Sequence, residues 1–334
     1  WRMAGGMRQD WPSPYRDITG EPEVAFGTLL QAIPNRTTRL VHRLRGLARL
    51  VQSDPDLQVV FREHTYQALQ EAPLRSKPGV RRFRARFRNM LRQYGHRSGR
   101  GFGSGTSFTT PTWNLDPRQP LDLIASYCQQ DLDAPDRLDT EARRSRARAG
   151  RRIRRLLADD QERLQRFQRG LALAVEEVNR MENHNHIMEQ GVHGVLREAM
   201  YWLGEGLVRE RLLSHPDDVL HLSLAEIKET ASGSGPLDLQ ALVQERAEEM
   251  EERSRLWAPA TLGDGPPLPP DPRAALQEPP AYAGLDGLIL RGVGASPGKA
   301  TGRARVVPMG PTPPIVERGD ILVALNAGPA WTPI

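Results

Sequence analysis

Residues 151–181, RRIRRLLADDQERLQRFQRGLALAVEEVNRM, place Ile153, Leu157, Leu164, Phe167, Leu171, Ala174, Val178 and Met181 three, four or seven residues apart. An α-helix repeats every 3.6 residues, so this spacing gathers the apolar side chains into one stripe suited to packing on another helix; strands would need strict alternation. Similar periodicity predicts almost continuous helix from Thr140 to about Gly206. It recurs upstream in EPEVAFGTLLQAI (21–33), RTTRLVHRLRGLARLVQ (36–52), LQVVFREHTYQALQ (57–70) and GVRRFRARFRNMLRQYGHR (79–97). In the last of these, Val80, Phe83, Phe87, Met90 and Leu91 mark one face. Another helix is expected in PLDLQALVQERAEEMEERSRL (236–256), after SHPDDVLHLSLAEI (214–227). The chain therefore reads as mainly α.

Its ends read differently. Residues 1–21, rich in Trp, Pro, Gly and Arg, suggest an extended arm or a linker remnant, and the helical domain is expected over 22–255. A proline-rich spacer, 256–283, then precedes a β-rich segment, 284–334, with expected strands GLILRGV (287–293), TGRARVVP (301–308) and DILVAL (320–325). Three short strands without a second layer leave an apolar sheet face wet, so this segment is expected to be an incomplete domain whose parent polypeptide continues.

Composition narrows the function. With 38% hydrophobic and 26% charged residues in 334, the chain falls among folded globular proteins. The net charge of +5 rests on 46 basic against 41 acidic residues, and only Lys77, Lys228 and Lys299 are lysines. Eight arginines fall between Arg143 and Arg155, but no aromatic residue interleaves them, so a solvated helix face is favoured over a nucleic-acid surface. The single Cys128 excludes an intrachain disulfide and a cysteine zinc cluster, and its apolar helical setting favours a structural thiol. No apolar run is long enough to span a membrane and no leader-like opening is present, so a cytoplasmic location is expected.

Two constellations carry candidate chemistry. At 100° per residue Glu182, His186, Glu189, His193 and Arg197 share a polar arc about 80° wide, beside an apolar arc of Met188, Val192, Val195, Ala199 and Leu203. Such an arc could transfer protons, bind a divalent metal or hold a polar substrate; it could also consist of local pairs on a solvated face. The spacing does not reproduce the zincin pattern H-E-x-x-H. The second constellation is Tyr94-Gly95-His96-Arg97 at a helix end, where Gly95 is a C-cap candidate and His96 and Arg97 either meet an anion or complement the helix dipole. It opens a loop longer than 20 residues, SGRGFGSGTSFTTPTWNLDPRQP (98–120), of a length that usually covers or lines a site. Its Gly101, Gly103 and Gly105 lack the preceding strand and the closing Gly-Lys-Ser or Gly-Lys-Thr of a phosphate loop.

RGVGASPGKATGRARVV (291–307) and IVERGDILVALNAGPAWTPI (315–334) resemble the opening of the swivelling phosphohistidine domain of phosphoenolpyruvate-utilising enzymes. FRNMLRQYGHR (87–97), TPTWNLDP (110–117) and residues 181–227 resemble the helical acceptor-binding domain of the rifampin phosphotransferase and phosphoenolpyruvate synthase branch. The resemblance implies an acceptor-binding fragment of an ATP-dependent, dikinase-like phosphotransferase acting on a small-molecule or antibiotic hydroxyl. It implies ATP and Mg2+ on an ATP-grasp domain, and a phosphohistidine motif, neither of which this sequence contains; both would act as partners in cis or in trans. No cofactor or metal is expected on the fragment itself. By the same resemblance Glu182, His186, Glu189 and His193 line the acceptor pocket, with His186 as base, while His96 and Arg97 stabilise the transferred phosphoryl oxygens. Trp113 would stack on a planar acceptor or anchor the loop. Two alternatives remain: a family-derived lyase, dehydratase or condensing enzyme of specialised metabolism, and a noncatalytic binding or assembly protein.

Overall fold

The structure, a computed structural model, describes residues 12–21, 24–98, 108–235, 238–256, 299–307 and 319–324. The chain divides into two compact units, one holding the described helical residues up to Leu203 and the other those from Gly204 to Leu256.

In the first unit α1 (Pro12–Thr19) and α2 (Val24–Leu29) precede α3 (Arg36–Ser53), α4 (Pro55–Arg62) and α5 (Pro78–Tyr94). The Asn35 side chain accepts from the Thr38 N–H, and the Asn35 N–H donates to the Thr38 hydroxyl, so reciprocal capping starts α3. Asp54 ends α3 and caps α4, whose first residue, Pro55, has no N–H to leave unpaired. Then come α6 (Arg118–Cys128), α7 (Ala134–Leu156) and α8 (Gln161–His184). A π-helical segment, Asn185–Val192, follows, and α9 (His193–Arg209) continues from it.

Two apolar cores hold this unit. The larger joins α3, α4, α5 and α6 through Leu44, Leu57, Val80, Phe83, Met90 and Ile124, each almost fully buried. Burying one such side chain contributes about 1.5–3 kcal/mol relative to leaving it exposed. The smaller core brings Tyr15, Ile18, Phe26 and Leu29 against Ile153, Leu157 and Phe167. The stripe read from residues 151–181 is therefore divided between two helices, with the break at Leu157–Asp160. The expected N-terminal arm also needs correction: Pro12–Thr19 is helical, and Tyr15 and Ile18 are core residues.

The second unit contains the end of α9, a 3-10 turn at Pro216–His221, α10 (Leu224–Ala231) and α11 (Leu239–Ser254). Arg246 forks onto Glu226 at 2.6 and 2.8 Å and also donates to the His221 carbonyl. Two short strands, β1 (Arg303–Val307) and β2 (Asp320–Ala324), pair in a sheet, with the Arg303 and Arg305 guanidinium groups on the Asp320 carboxylate. They coincide with two of the three expected strands. The third, 287–293, lies outside the described residues, as do 257–283 of the proline-rich spacer and the glycines of 99–107. The mainly α class with a small β fragment on its C-terminal side is the one the periodicity predicts.

Candidate functional site

The Tyr94–Arg97 turn is built by close approach of backbone segments. The Gly95 N–H closes α5 on the Leu91 carbonyl at 2.6 Å, so Gly95 is the C-cap, in a right-handed conformation. A Cβ at this position would lie 1.9 Å from the Asn114 side-chain oxygen and 2.4 Å from the Leu91 carbonyl oxygen; the first can swing aside but the second is backbone, which favours glycine here. That return is fixed by the Trp113 N–H on the Arg97 carbonyl and the Asn114 N–H on the Gly95 carbonyl. Trp113 is only 4% exposed and sits in the larger core, so it anchors the loop and offers no open stacking face; its indole N–H has no partner among the described residues.

Glu198, which the sequence reading did not single out, organises this turn. One of its oxygens, Oε1, meets His96 Nδ1 at 3.0 Å, the Thr112 hydroxyl at 2.7 Å and the Asn114 amide at 3.0 Å. Three contacts on one carboxylate oxygen fix the His96 ring and leave its Nε2 for another partner. The available signal for Glu198 was its place one turn beyond Gly194 on the helix carrying the polar arc.

His186 occupies the π-helical segment. Its ring meets Tyr94 edge-on, with centroids 5.2 Å apart, and its buried Nδ1 has no hydrogen-bond partner among the described residues. Burial, followed by the nearby Arg36, Arg97 and His96 side chains, pushes its pKa down to about 4. Among the described residues no carboxylate pairs with its ring. Glu182 instead accepts from the Thr37 hydroxyl at 2.5 Å, and Glu189 lies 3.8 Å from His184. Arg97 is buried; burial lowers its pKa, and the charge of Glu182 opposes that shift.

The polar arc is thus rearranged. A π-helix takes more residues per turn than the 3.6 assumed in the sequence reading. His193 Nδ1 lies 3.1 Å from the Glu189 carbonyl, and Arg197, 2% exposed, sets its guanidinium 5.8 Å from the Tyr201 ring centre. His96, Arg97, Glu182 and His186 form one electrostatically connected cluster; Glu189, His193 and Arg197 engage other partners. Beside it Met188, Val192 and Val195 remain about half exposed. Among the described residues no group of three or more His, Cys, Asp and Glu side chains is arranged to hold a metal ion, and no helix is long and apolar enough to cross a membrane.

Residues 3–180 match the family model described as the rifampicin phosphotransferase fourth domain. The chain belongs to this family. The fourth-domain match takes in His96, Arg97 and Trp113 and ends before Glu182. Similarity to curated proteins extends further. A chondramide synthase of Chondromyces crocatus is 29% identical over 326 residues, covering 92% of this chain and 8% of that protein. An uncharacterized phosphotransferase of Bacillus subtilis (strain 168) is 23% identical over 331 residues, covering 95% of this chain and 37% of that protein. The fourth-domain chain thus spans well under half the length of either relative.

Proposed function

We propose that residues 22–255 form the acceptor-binding part of an ATP-dependent, dikinase-like phosphotransferase whose substrate is a small-molecule hydroxyl. The observation that carries this reading is the half-buried His186 ring, which feels the charge of Arg97 and whose Nδ1 has no hydrogen-bond partner among the described residues. An imidazole with so low a pKa is neutral near pH 7, so it can accept a hydrogen bond from a hydroxyl and then its proton. In the transfer step the acceptor oxygen attacks phosphorus and the phosphorus–nitrogen bond of the donor phosphohistidine breaks. The bond's electron pair returns to that donor, and the hydroxyl proton passes to His186. Arg97 and His96 offset the charge on the phosphoryl oxygens. That incoming negative charge also opposes the cations that depress His186, making it a stronger base when needed.

The exposed Met188, Val192 and Val195 offer the acceptor's apolar body a surface, with Glu189 and His193 supplying further polar contacts. ATP and Mg2+ belong to an ATP-grasp partner and the phosphoryl carrier to a phosphohistidine partner, in a cytoplasmic setting where ATP is plentiful. The similarity to a chondramide synthase favours a second reading in specialised metabolism, with phosphorylation creating a leaving group for elimination or condensation.

Rapid-quench transfer from the phosphorylated full-length parent to its acceptor tests the base. His186→Ala should slow transfer by at least about 100-fold, the scale of general-base loss, while phosphoenzyme formation from ATP persists. Near-normal transfer would remove His186 from the reaction. Release of inorganic phosphate together with loss of the acceptor hydroxyl would select the second reading.

A further inference from the structure

In addition to the His186 cluster, and sharing His96 with it, α5 presents a second set of groups. Arg88, Arg92 and His96 follow one another at intervals of four residues on and just beyond this helix. With Ala85, Leu91 and Asn114 they line an open groove of about 630 Å3, a volume suited to a small ligand. Arg84 lies one turn earlier, and its pKa is lowered by burial and then by the charges of Arg75 and Arg88.

Cations one helical turn apart repel each other, and several arginines elsewhere in the chain are answered by carboxylates. Arg49 meets Asp136, Arg118 meets Asp116, Arg148 meets Glu141 and Arg180 meets Glu176. Arg88 and Arg92 have no carboxylate partner among the described residues, and no acidic side chain lines the groove. His96 is held through Nδ1 by Glu198, which leaves Nε2 for a groove ligand.

We infer that this groove binds a small molecule through a phosphate or diphosphate group, held by Arg88, Arg92 and His96 Nε2. Two guanidinium forks and an imidazole, spread along about 12 Å of helix by the rise per residue, exceed what the two oxygens of one carboxylate can satisfy. Phosphate oxygens accept from several forks at once. Leu91 and Ala85 would contact the rest of the ligand. Among the described residues the groove lining contains no aromatic side chain for base stacking, which favours a small molecule over single-stranded nucleic acid.

Titration calorimetry of the full chain with inorganic diphosphate, at fixed low ionic strength, tests the site independently of any transfer reaction. Saturable one-to-one binding is expected, weakened at least tenfold in an Arg88→Gln/Arg92→Gln variant with unchanged thermal stability. An Arg143→Gln/Arg144→Gln control on α7 should bind like the wild type, and so should His186→Ala. Absence of saturable binding, or equal weakening by the control pair, would reduce the groove to a generic basic surface and overturn the inference. Loss of binding in His186→Ala would overturn its separation from the His186 cluster. Displacement of diphosphate by single-stranded RNA at lower concentration than by free nucleotide would assign the arginines to nucleic acid instead.

Discussion

Gly194 packs directly on His96: a Cβ built on this glycine would lie 2.0 Å from the His96 carbonyl oxygen and 2.7 Å from its Cβ. The obstacle is backbone, so no rotamer change relieves it. Gly194→Ala should therefore push the His96 turn away from α9 and destabilise the protein by about 1–3 kcal/mol, the usual cost of overpacking. Gly206, on the same helix, has open space at its Cβ position. Gly206→Ala should stabilise by up to about 1 kcal/mol through helix propensity. Urea denaturation of both variants reads the contrast, and equal effects would show that the close approach is not maintained in solution.

What was legible in the sequence follows from what each residue depends on. The helices around Val80, Phe83 and Phe167 depend on local periodicity and appear where that periodicity places them. Gly95 was recognisable as a helix end, but the close approach of the returning Asn114 is a contact across the loop. The polar arc was drawn at 100° per residue, and the π-helical turn at Asn185–Val192 changes that angle without any simple sequence signal. Glu198 escaped notice because its three contacts come from His96, Thr112 and Asn114, roughly 84–102 residues away along the chain. Pro12–Thr19 read as an arm because its helix is short and its partners, Phe26 and Phe167, lie beyond any local window.

Removing the Glu198 carboxylate should leave Thr112, which is buried, and Asn114 without an acceptor. Glu198→Ala is expected to cost about 1–3 kcal/mol in urea denaturation, the range for stranding buried polar groups. Glu198→Gln, which retains one acceptor oxygen, should cost less. The His96 ring supplies an independent readout. Its nitrogen chemical shifts should report a proton fixed on Nδ1 in the wild type and a mixture of tautomers in Glu198→Ala. A fixed tautomer in that variant would show that Glu198 does not hold the ring.

The depressed pKa of His186 links stability to pH with a definite sign. Above its ordinary value of 6.5 the imidazole is neutral in both folded and unfolded chains, and this group contributes no slope. Between about 6.5 and about 4 the unfolded chain takes up a proton that the folded chain refuses, so stability falls as the pH is lowered. His186→Gln should flatten the urea-midpoint profile across that window and leave the region above pH 7 unchanged. Proton NMR of the ring should place the wild-type midpoint well below 6.5. A titration at the ordinary value would mean that the ring is not buried beside Arg36, Arg97 and His96 as the geometry indicates.

Cys128 offers a last check on packing in the larger core. Burial raises its thiol pKa from 9.0 to about 12, and its Sγ–H points to the Ala48 carbonyl at 3.7 Å. The thiolate is the reacting species, so a three-unit rise lowers its population near pH 8 by about 1,000-fold, before steric protection is counted. Iodoacetamide should therefore label the native chain very slowly and the urea-unfolded chain at the rate of a free thiol, as followed by intact mass. Because α6 carries Cys128 and α3 carries Ala48, labelling in graded urea should track separation of these helices. The modified fraction should coincide with loss of helical circular dichroism. Fast labelling before that loss would show that α6 opens from α3 on its own, and that the thiol's protection is local rather than a property of the whole core.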